Sequence, residues 1–427
     1  MLSVPGAWVD SVGFAPEGVV VGLRHRSRRL RCPCGHTSAA RYDGSRRRWR
    51  HLDLGACRLW LEADVRRVDC RRCGRVRTEE VPWARPGARH SRDFEDVVAW
   101  LAQRTDKTSV ATLMRCSWAA VRAIIGRVVA DHLDERRLEG LYHLGVDEIS
   151  WRRGHHYLTI VANHDDGRVV WVTWGQRKFG LAAFYEALGP ERRAQVRAVS
   201  MDLGTNYQQA TREWVPHAAI CLDPFHVIRM ANKAMDHVHS ASRHGADHTV
   251  TAREWRHTQL ALRRGAERLS DADHERLKTL RRSRYAVWRA WELKERLRDL
   301  YHHVDPDQAA DHLRRWINAA VRSRLRPFVN LGRQLRRHFD GIVAAVEWGL
   351  SNSRLEGING KIRLINRRGY GHHSPQSLAS MIYLCLGGIT IQLPTERCGG
   401  EQTFDQADGF YEQPTNEGVL AKYRSNP

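Results

Sequence analysis

Val196-Arg197-Ala198-Val199-Ser200-Met201-Asp202-Leu203-Gly204 is a short apolar run that ends in a carboxylate and passes through a glycine into a helix-like stretch. Leu144-Gly145-Val146-Asp147 has the same form upstream. Around these two runs the periodicity orders the elements. Leu144 to Ser150, Tyr157 to Asn163 and Arg168 to Trp174 read as three consecutive strands, with Asp165-Asp166-Gly167 as a hairpin turn. Phe179 to Leu188 reads as a helix, Val196 to Met201 as a fourth strand, Thr205 to Trp214 as a helix, and Ala218 to Leu222 as a fifth strand.

Three antiparallel strands followed by alternating helices and strands is the order of an RNase H-like α/β fold, an order that other α/β architectures can share. After Pro224 the strand signals stop. Residues 227–350 are Arg-rich and helical in period, with Leu313, Trp316, Ile317, Ala320 and Val321 on one stripe, which predicts an all-helical insertion. Ser351 to Arg368 reads as one helix with Gly369 placed to stop it. The tail after about Leu393 is polar and glycine-bearing.

Upstream, Met1 to about Arg31 reads as short strands, and the alternation from Cys57 to Val65 predicts another. Cys32 and Cys34 pair in sequence with Cys70 and Cys73, and Pro82 and Pro86-Gly87 punctuate a linker. From Asp93 to about Leu133 the pattern is helical: a first helix capped by Ser91 or Asp93, a short one from Thr108 to Met114, a tight connection at Arg115-Cys116-Ser117, and a third from Trp118 to Val129. Short helix, short turn, longer helix is the layout of a helix-turn-helix, which a small helical bundle can also show.

The 427 residues are 42% apolar and carry a formal charge of +21, enough chain for several domains with a sizeable core. That excess, mostly Arg, favours polyanions and salt-dependent nucleic-acid binding, although a compositional bias toward Arg accounts for part of it. No apolar run nears the ~18 residues of a membrane span. No signal peptide is legible, and nine scattered cysteines do not make a disulfide scaffold, so a reducing cytoplasm is expected.

Asp147, Asp202 and Glu356, two on strands and one on a helix, predict a metal site for phosphodiester chemistry. Two Mg²⁺ or Mn²⁺ ions ~3.5–4 Å apart need few carboxylates each. Each acid has a plainer reading. Asp147 is a strand end with Glu148 as a competitor, Asp202 can cap the next helix, and Glu356 stands at capping-box spacing from Ser353. What surrounds Glu356 favours the site. Leu355, Ile358, Ile362 and Ile365 form an apolar stripe, while Glu356, Asn359, Arg363 and Arg367 recur on another face. Asp223 fits an N-cap with Pro224 at the first helical position, and Glu148, Asp223 and His226 are read as lying near the site. Trp288 and Trp291 share a helical face, where core packing is the commoner use and base stacking the rarer one.

Taken together, Cys32-Pro33-Cys34-Gly35 with Cys70 and Cys73, Gly145-Val146-Asp147-Glu148, Asp202-Leu203-Gly204, Asp223-Pro224-Phe225-His226 and Ser351-Asn352 through Glu356-Gly357 to Arg367 resemble the bacterial insertion-sequence DDE transposases of the family called ISL three. The resemblance covers nearly the whole chain. It implies Asp147, Asp202 and Glu356 as the catalytic triad, two Mg²⁺ (or Mn²⁺) per active site, and a structural Zn²⁺ held by Cys32, Cys34, Cys70 and Cys73. The family's first pair is usually C-x-x-C, so the one-residue spacing here strains that knuckle and leaves His36 or Cys57 as substitutes. Arg115, Arg122, Asn359, Lys361, Arg363 and Arg367 are the expected DNA contacts.

The domain scheme that follows is a zinc-ribbon-like domain over 1–88, helix-turn-helix over 89–138, RNase H-like catalytic domain over 139–226 and 351–393, helical insertion over 227–350, and tail over 394–427. The expected function is end cleavage and strand transfer at terminal inverted repeats, with double-stranded DNA as partner, at least a dimer on DNA, and residence at the bacterial nucleoid. A regulator with an inactive catalytic domain and a purely hydrolytic nuclease are the rivals.

Overall fold

A computed structural model describes residues 4–397 except 39, 153, 155, 176, 243–250 and 284. The chain divides into two compact units: residues 4–137 with 362–397, and residues 138–361, as far as they are described.

The first unit opens with a sheet in the order β1-β2-β6-β5, with β7 on the far part of β6. Its strands are β1 (Ala7–Ala15), β2 (Gly18–His25), β5 (Arg41–Leu54), β6 (Cys57–Cys70) and β7 (Arg75–Thr78); β3 (Leu30–Arg31) and β4 (Thr37–Ser38) form a small separate hairpin. The expected alternation holds in β6, where Leu59, Leu61, Ala63 and Val65 are buried against Val19, Val21, Trp49 and Trp83. Three helices follow, α1 (Arg92–Arg104), α2 (Lys107–Leu113) and α3 (Trp118–His132). Each is capped by a side-chain oxygen: Ser91 accepts from the Phe94 N–H, Asp106 from Thr108 and Ser109, and Ser117 from Ala120. The turn between α2 and α3 closes because Arg115 adopts a left-handed φ of 51°.

The second unit holds a sheet in the order β10-β9-β8-β11-β12. Its strands are β8 (His143–Arg152), β9 (His156–Asn163), β10 (Val169–Trp174), β11 (Ala198–Met201) and β12 (Ala219–Leu222). β8, β9 and β10 are antiparallel neighbours, and β11 runs parallel to both β8 and β12. The helix α4 (Arg177–Arg193) is broken at Gly189-Pro190 and precedes β11; α5 (Thr205–Trp214) lies between β11 and β12. The strand and helix order read from the sequence is therefore the order found.

The expected insertion is helical in every described element: α6 (Pro224–Ala241), α7 (Ala252–Arg263), α8 (Asp271–Ser283), α9 (Tyr285–His302), α10 (Ala309–Arg322), α11 (Arg326–Arg337) and α12 (Phe339–Glu347), joined in places by single 3-10 turns. It is not a separate body. Val146, Val199 and Met201 of the sheet share one buried cluster with Val227, Leu297, Trp316, Ile317 and Phe328. Trp288 and Trp291 pack against that cluster, so the core reading holds for both.

The helix α13 (Ser353–Arg368) starts in the second unit and ends in the first, followed by α14 (Pro375–Leu386) in the first. Within the first unit α14 packs on α3 and α1. Gln103 donates to the Leu384 and Ile389 carbonyls at 2.8 and 3.1 Å. Arg368 donates to the Ala102 and Gln103 carbonyls at 2.9 and 3.0 Å. Short-range periodicity carries no information about which of two bodies a helix packs on. The tail expectation beyond residue 397 lies outside the described residues.

Candidate active site and nucleic-acid interface

The parallel register builds the site. Ser200 pairs with Gly145 and Met201 with Leu222. Continuing that register one or two residues sets Asp147, Asp202 and Asp223 in one row across β8, β11 and β12, with strands ~4.8 Å apart. Asp202 and Asp223 directly follow the carboxyl ends of β11 and β12, where open α/β sheets place ligands, while Asp147 lies midway along the longer β8.

The start of α13 closes over this row. A Cβ on Gly145 would meet Leu355 Cδ1 at 2.1 Å and His164 Nε2 at 2.8 Å, so only glycine admits the helix here. Two residues along β8, Asn359 donates its Nδ2 to Asp147 Oδ2 at 2.7 Å. Two residues on a strand thus match four on a helix, both roughly 6 Å of rise. The stripe of Leu355 and Ile358 is buried as expected. Asn359 is buried too, which corrects its assignment to a DNA-facing surface: its amide serves Asp147. Asn352 pins the helix start. Its Nδ2 donates to the Val146 carbonyl at 3.3 Å, Ser200 Oγ donates to its Oδ1 at 2.5 Å, and its backbone N–H donates to Asp223 Oδ1 at 3.2 Å. His164 Nε2 meets the same Ser200 hydroxyl at 2.6 Å.

Asp223 is therefore not the side-chain cap that its sequence position predicted. It occupies the N-cap position of α6 with Pro224 at the first turn, yet makes no side-chain cap bond. Its buried carboxylate is spent on Asn352 and on His226 Nδ1 at 2.8 Å. The Asp223 hydrogen bond raises the His226 pKa, and the charges of Asp202 and Asp147 add to it. Burial raises the Asp147 carboxyl above the usual range; the Asp202 charge adds, while the Glu148 N–H, Asn359 and His226 oppose. Asp147 Oδ1 accepts from the Glu148 N–H at 2.7 Å, and Asp202 Oδ1 from the Gly204 N–H at 2.8 Å.

Glu356 is exposed on α13, one turn before Asn359. Asp147, Asp202 and Glu356 do not bring three oxygens within 4.8 Å of one another, a condition met among the described residues by one group, the four cysteines. Ligands shared between two ions need not touch, so this spread is compatible with a two-ion site. The donor set also fits a hard cation. The Asp202 charge acts on the Asp147 carboxylate, so the two groups of oxygens are close, and Asn359 Oδ1 is buried beside Asp147 without a partner among the described residues.

In the first unit, Cys32 Sγ lies 3.8 Å from Cys73 Sγ and Cys34 Sγ 3.6 Å from Cys70 Sγ. Tetrahedral Zn–S bonds of ~2.3 Å set sulfurs about 3.8 Å apart. The one-residue spacing that seemed strained is accommodated by a turn: Cys32 N–H donates to the His36 carbonyl, Gly35 N–H to that of Cys32, and Gly35 takes φ 84°. Neither His36 nor Cys57 joins the cluster.

Of the expected DNA contacts, Arg122 is exposed on α3, and Lys361, Arg363 and Arg367 are exposed on α13. Arg115 is engaged internally, donating to Asp53 at 3.1 Å and to the Ala56 carbonyl at 2.8 Å. It locks the α2–α3 turn to the β5–β6 hairpin. Sequence reasoning missed the roles of Asn352, His164 and Ser200. Only Ser351-Asn352 carried a signal, as part of the family pattern.

Comparison with known proteins identifies the family. Residues 144–382 match a family model described as "Transposase", the DDE domain of its family, and residues 79–129 match the "Helix-turn-helix domain of transposase family ISL3". The chain is 37% identical over 408 residues to the transposase for insertion sequence element IS1557 of Mycobacterium tuberculosis, covering 88% of this chain and 90% of that one. It is 25% identical over 345 residues to the transposase for insertion sequence element IS1001 of Bordetella parapertussis, covering 80% and 85%. No described helix is long and apolar enough to cross a membrane. A mixed α/β chain with helix-turn-helix and DDE transposase domains, this protein belongs to the ISL3 family of insertion-sequence transposases, DNA-binding enzymes of DNA transposition.

Proposed function

We propose that transposition runs through a metal-dependent site made by Asp147, Asp202 and Glu356 on an RNase H-like domain. The observation that carries this reading is the row of carboxylates across parallel strands β8 and β11, Asp147 within β8 and Asp202 just past the end of β11, with α13 laid across them. Bound Mg²⁺ or Mn²⁺, two per site, would supply charge stabilisation and an activated oxygen nucleophile. The chain's part is positional. Asn359 and the Glu148 N–H fix the Asp147 carboxylate, the Gly204 N–H fixes Asp202, and Asn352 ties the helix bearing Glu356 to both strands. One site serves end cleavage and strand transfer, because only the attacking hydroxyl changes, from water to the freed 3′ end.

The four cysteines hold Zn²⁺ in a zinc-ribbon-like front end covering roughly 1–88, and the helix-turn-helix of 89–138 reads the terminal inverted repeats. Arg122, Lys361, Arg363 and Arg367 contact DNA. Joining two ends requires at least a dimer. The nucleoid of a bacterial cytoplasm is where such a substrate lies.

Asp147→Asn, Asp202→Asn and Glu356→Gln keep shape and remove one charge each. Cleavage of repeat-bearing DNA in Mg²⁺ or Mn²⁺ is expected to fall by orders of magnitude with circular dichroism unchanged. Glu148→Gln is expected to be much milder. Near-normal cleavage by a folded Glu356→Gln protein removes Glu356 from the triad and leaves Glu347 as the next candidate.

A further inference from the structure

Lys107 is the first residue of α2 and is only 5% exposed, yet among the described residues its charge has no acidic partner. Its Nζ lies 3.2 Å from Ser377 Oγ, 3.4 Å from His372 Nδ1 and 5.3 Å from the centre of the Trp118 ring. All three partners are neutral, since burial lowers the His372 pKa to about 4. Lys107 borders a pocket of about 200 Å³ with Arg122 of α3 and with Ser374, Gln376 and Ser377 from the first turns of α14. No acidic residue lines it. Burial, with the Arg122 charge adding to it, lowers the Lys107 pKa to about 8. Two cations thus face one small space and destabilise each other.

A buried ammonium without a counter-ion costs several kcal/mol unless something anionic joins it. Hydroxyls and an amide beside two cations match phosphate oxygens. The positive end of α14 points the same way, with Pro375 in its first turn and Ser374 as its cap.

We propose that this pocket holds a backbone phosphate of the bound DNA, clamped between the helix-turn-helix and α14. The proposal rests on the DNA-binding reading of the helix-turn-helix and makes it specific. Arg122 and Lys107 would position the duplex rather than read a base, and residues 374–377, far away in sequence, would complete the DNA interface. One phosphodiester oxygen accepts from Lys107 and another from Arg122, with Ser377 holding Lys107 in place.

The test uses the full chain and two probes, a duplex carrying the repeat and a random duplex of equal length, titrated across salt concentration. Lys107→Met and Arg122→Gln are each expected to weaken both complexes by a similar factor. Each is also expected to lower the slope of log K against log salt by about 0.9 per lost phosphate contact. Arg122 is exposed, so Arg122→Gln remains informative if Lys107→Met fails to fold. A third arm measures melting with inorganic phosphate against chloride at equal ionic strength. Stabilisation of the wild type by phosphate, lost in Arg122→Gln, supports the pocket as an anion site. Stabilisation by phosphate with unchanged DNA slopes assigns it to a free anion and overturns the DNA clamp. Unchanged slopes in folded variants that still bind the repeat overturn the clamp while leaving the DNA-binding reading intact. Loss of discrimination between repeat and random duplex in Arg122→Gln, with the slope retained, makes Arg122 a base reader and overturns it as well. A wild-type chain that binds neither duplex removes the reading on which the clamp rests.

Discussion

Single residues set the tolerance of the site. Gly145 is the point where β8 touches α13, and a methyl there would stand 2.1 Å from Leu355 Cδ1. Overpacking of this kind costs about 1–3 kcal/mol. Gly145→Ala is therefore expected to lower the urea midpoint, and adding Leu355→Ala to recover part of the loss. An unchanged midpoint for the single variant would mean that α13 does not sit on β8 as described. His164, beside Gly145, is buried and its pKa is lowered to about 4, first by burial and then by the Arg354 charge. A histidine depressed in the folded state stabilises fully above its unfolded pKa of about 6.5 and loses that contribution as pH falls toward 4. The loss amounts to at most about 3 kcal/mol. His90, also lowered to about 4 by burial, acts in the same direction. Denaturant midpoints are expected to hold from pH 8 to 7 and to drop between pH 6.5 and 4. A flat profile across that window would contradict the burial of these rings.

At the scale of elements, the cysteine turns show how a small hairpin is tied to a long one. Cys32 and Cys34 lie in the β3–β4 turn, while Cys70 and Cys73 sit at the end of β6 and in the turn that follows. Among the described residues their shared core is Leu30 and Val68 with the cysteines themselves, too little apolar area to hold the hairpin alone. The purified chain is expected to contain about one zinc, as structural Cys₄ sites do. Chelation or Cys70→Ser is expected to destabilise the front sheet, whereas Cys57→Ser, at an exposed position outside the cluster, leaves it unchanged. Zinc-free protein with an unaltered melting curve after Cys70→Ser would end the zinc assignment.

Across the whole molecule, the first unit is assembled from both ends of the described chain. Leu378, Ile382 and Leu384 of α14 are buried, and α14 packs on α3 of the helix-turn-helix. A chain stopped at residue 361 is expected to bind DNA far more weakly than full-length protein, although its helix-turn-helix is intact in sequence. Binding by the full-length Asp147→Asn protein is expected to persist, with affinity falling steeply as salt rises, in keeping with a charge of +21. Equal affinity of the truncated and full-length chains in a mobility-shift titration would show that α14 is dispensable.

What the sequence by itself determined was local and periodic. Alternation placed β8, β9 and β10 to within a residue or two, and the first part of β6, which runs on to Cys70. Capping chemistry placed α1, and the acid after each short apolar run placed Asp147 and Asp202. These follow from interactions between residues a few positions apart, and such interactions are written in the order of side chains. Pairings across long stretches were decided only by the tertiary structure. Asp223 looked like a cap and became a partner of Asn352 and His226, because β12 lies one strand from β11 beneath the start of α13. Asn359 looked solvent-facing and turned inward because Gly145 lets α13 approach β8. Lys107, at the first position of a short helix, gave no sign of burial until α14 covered it. In each case the deciding neighbour stands more than a hundred residues away, and no periodic pattern reaches that far.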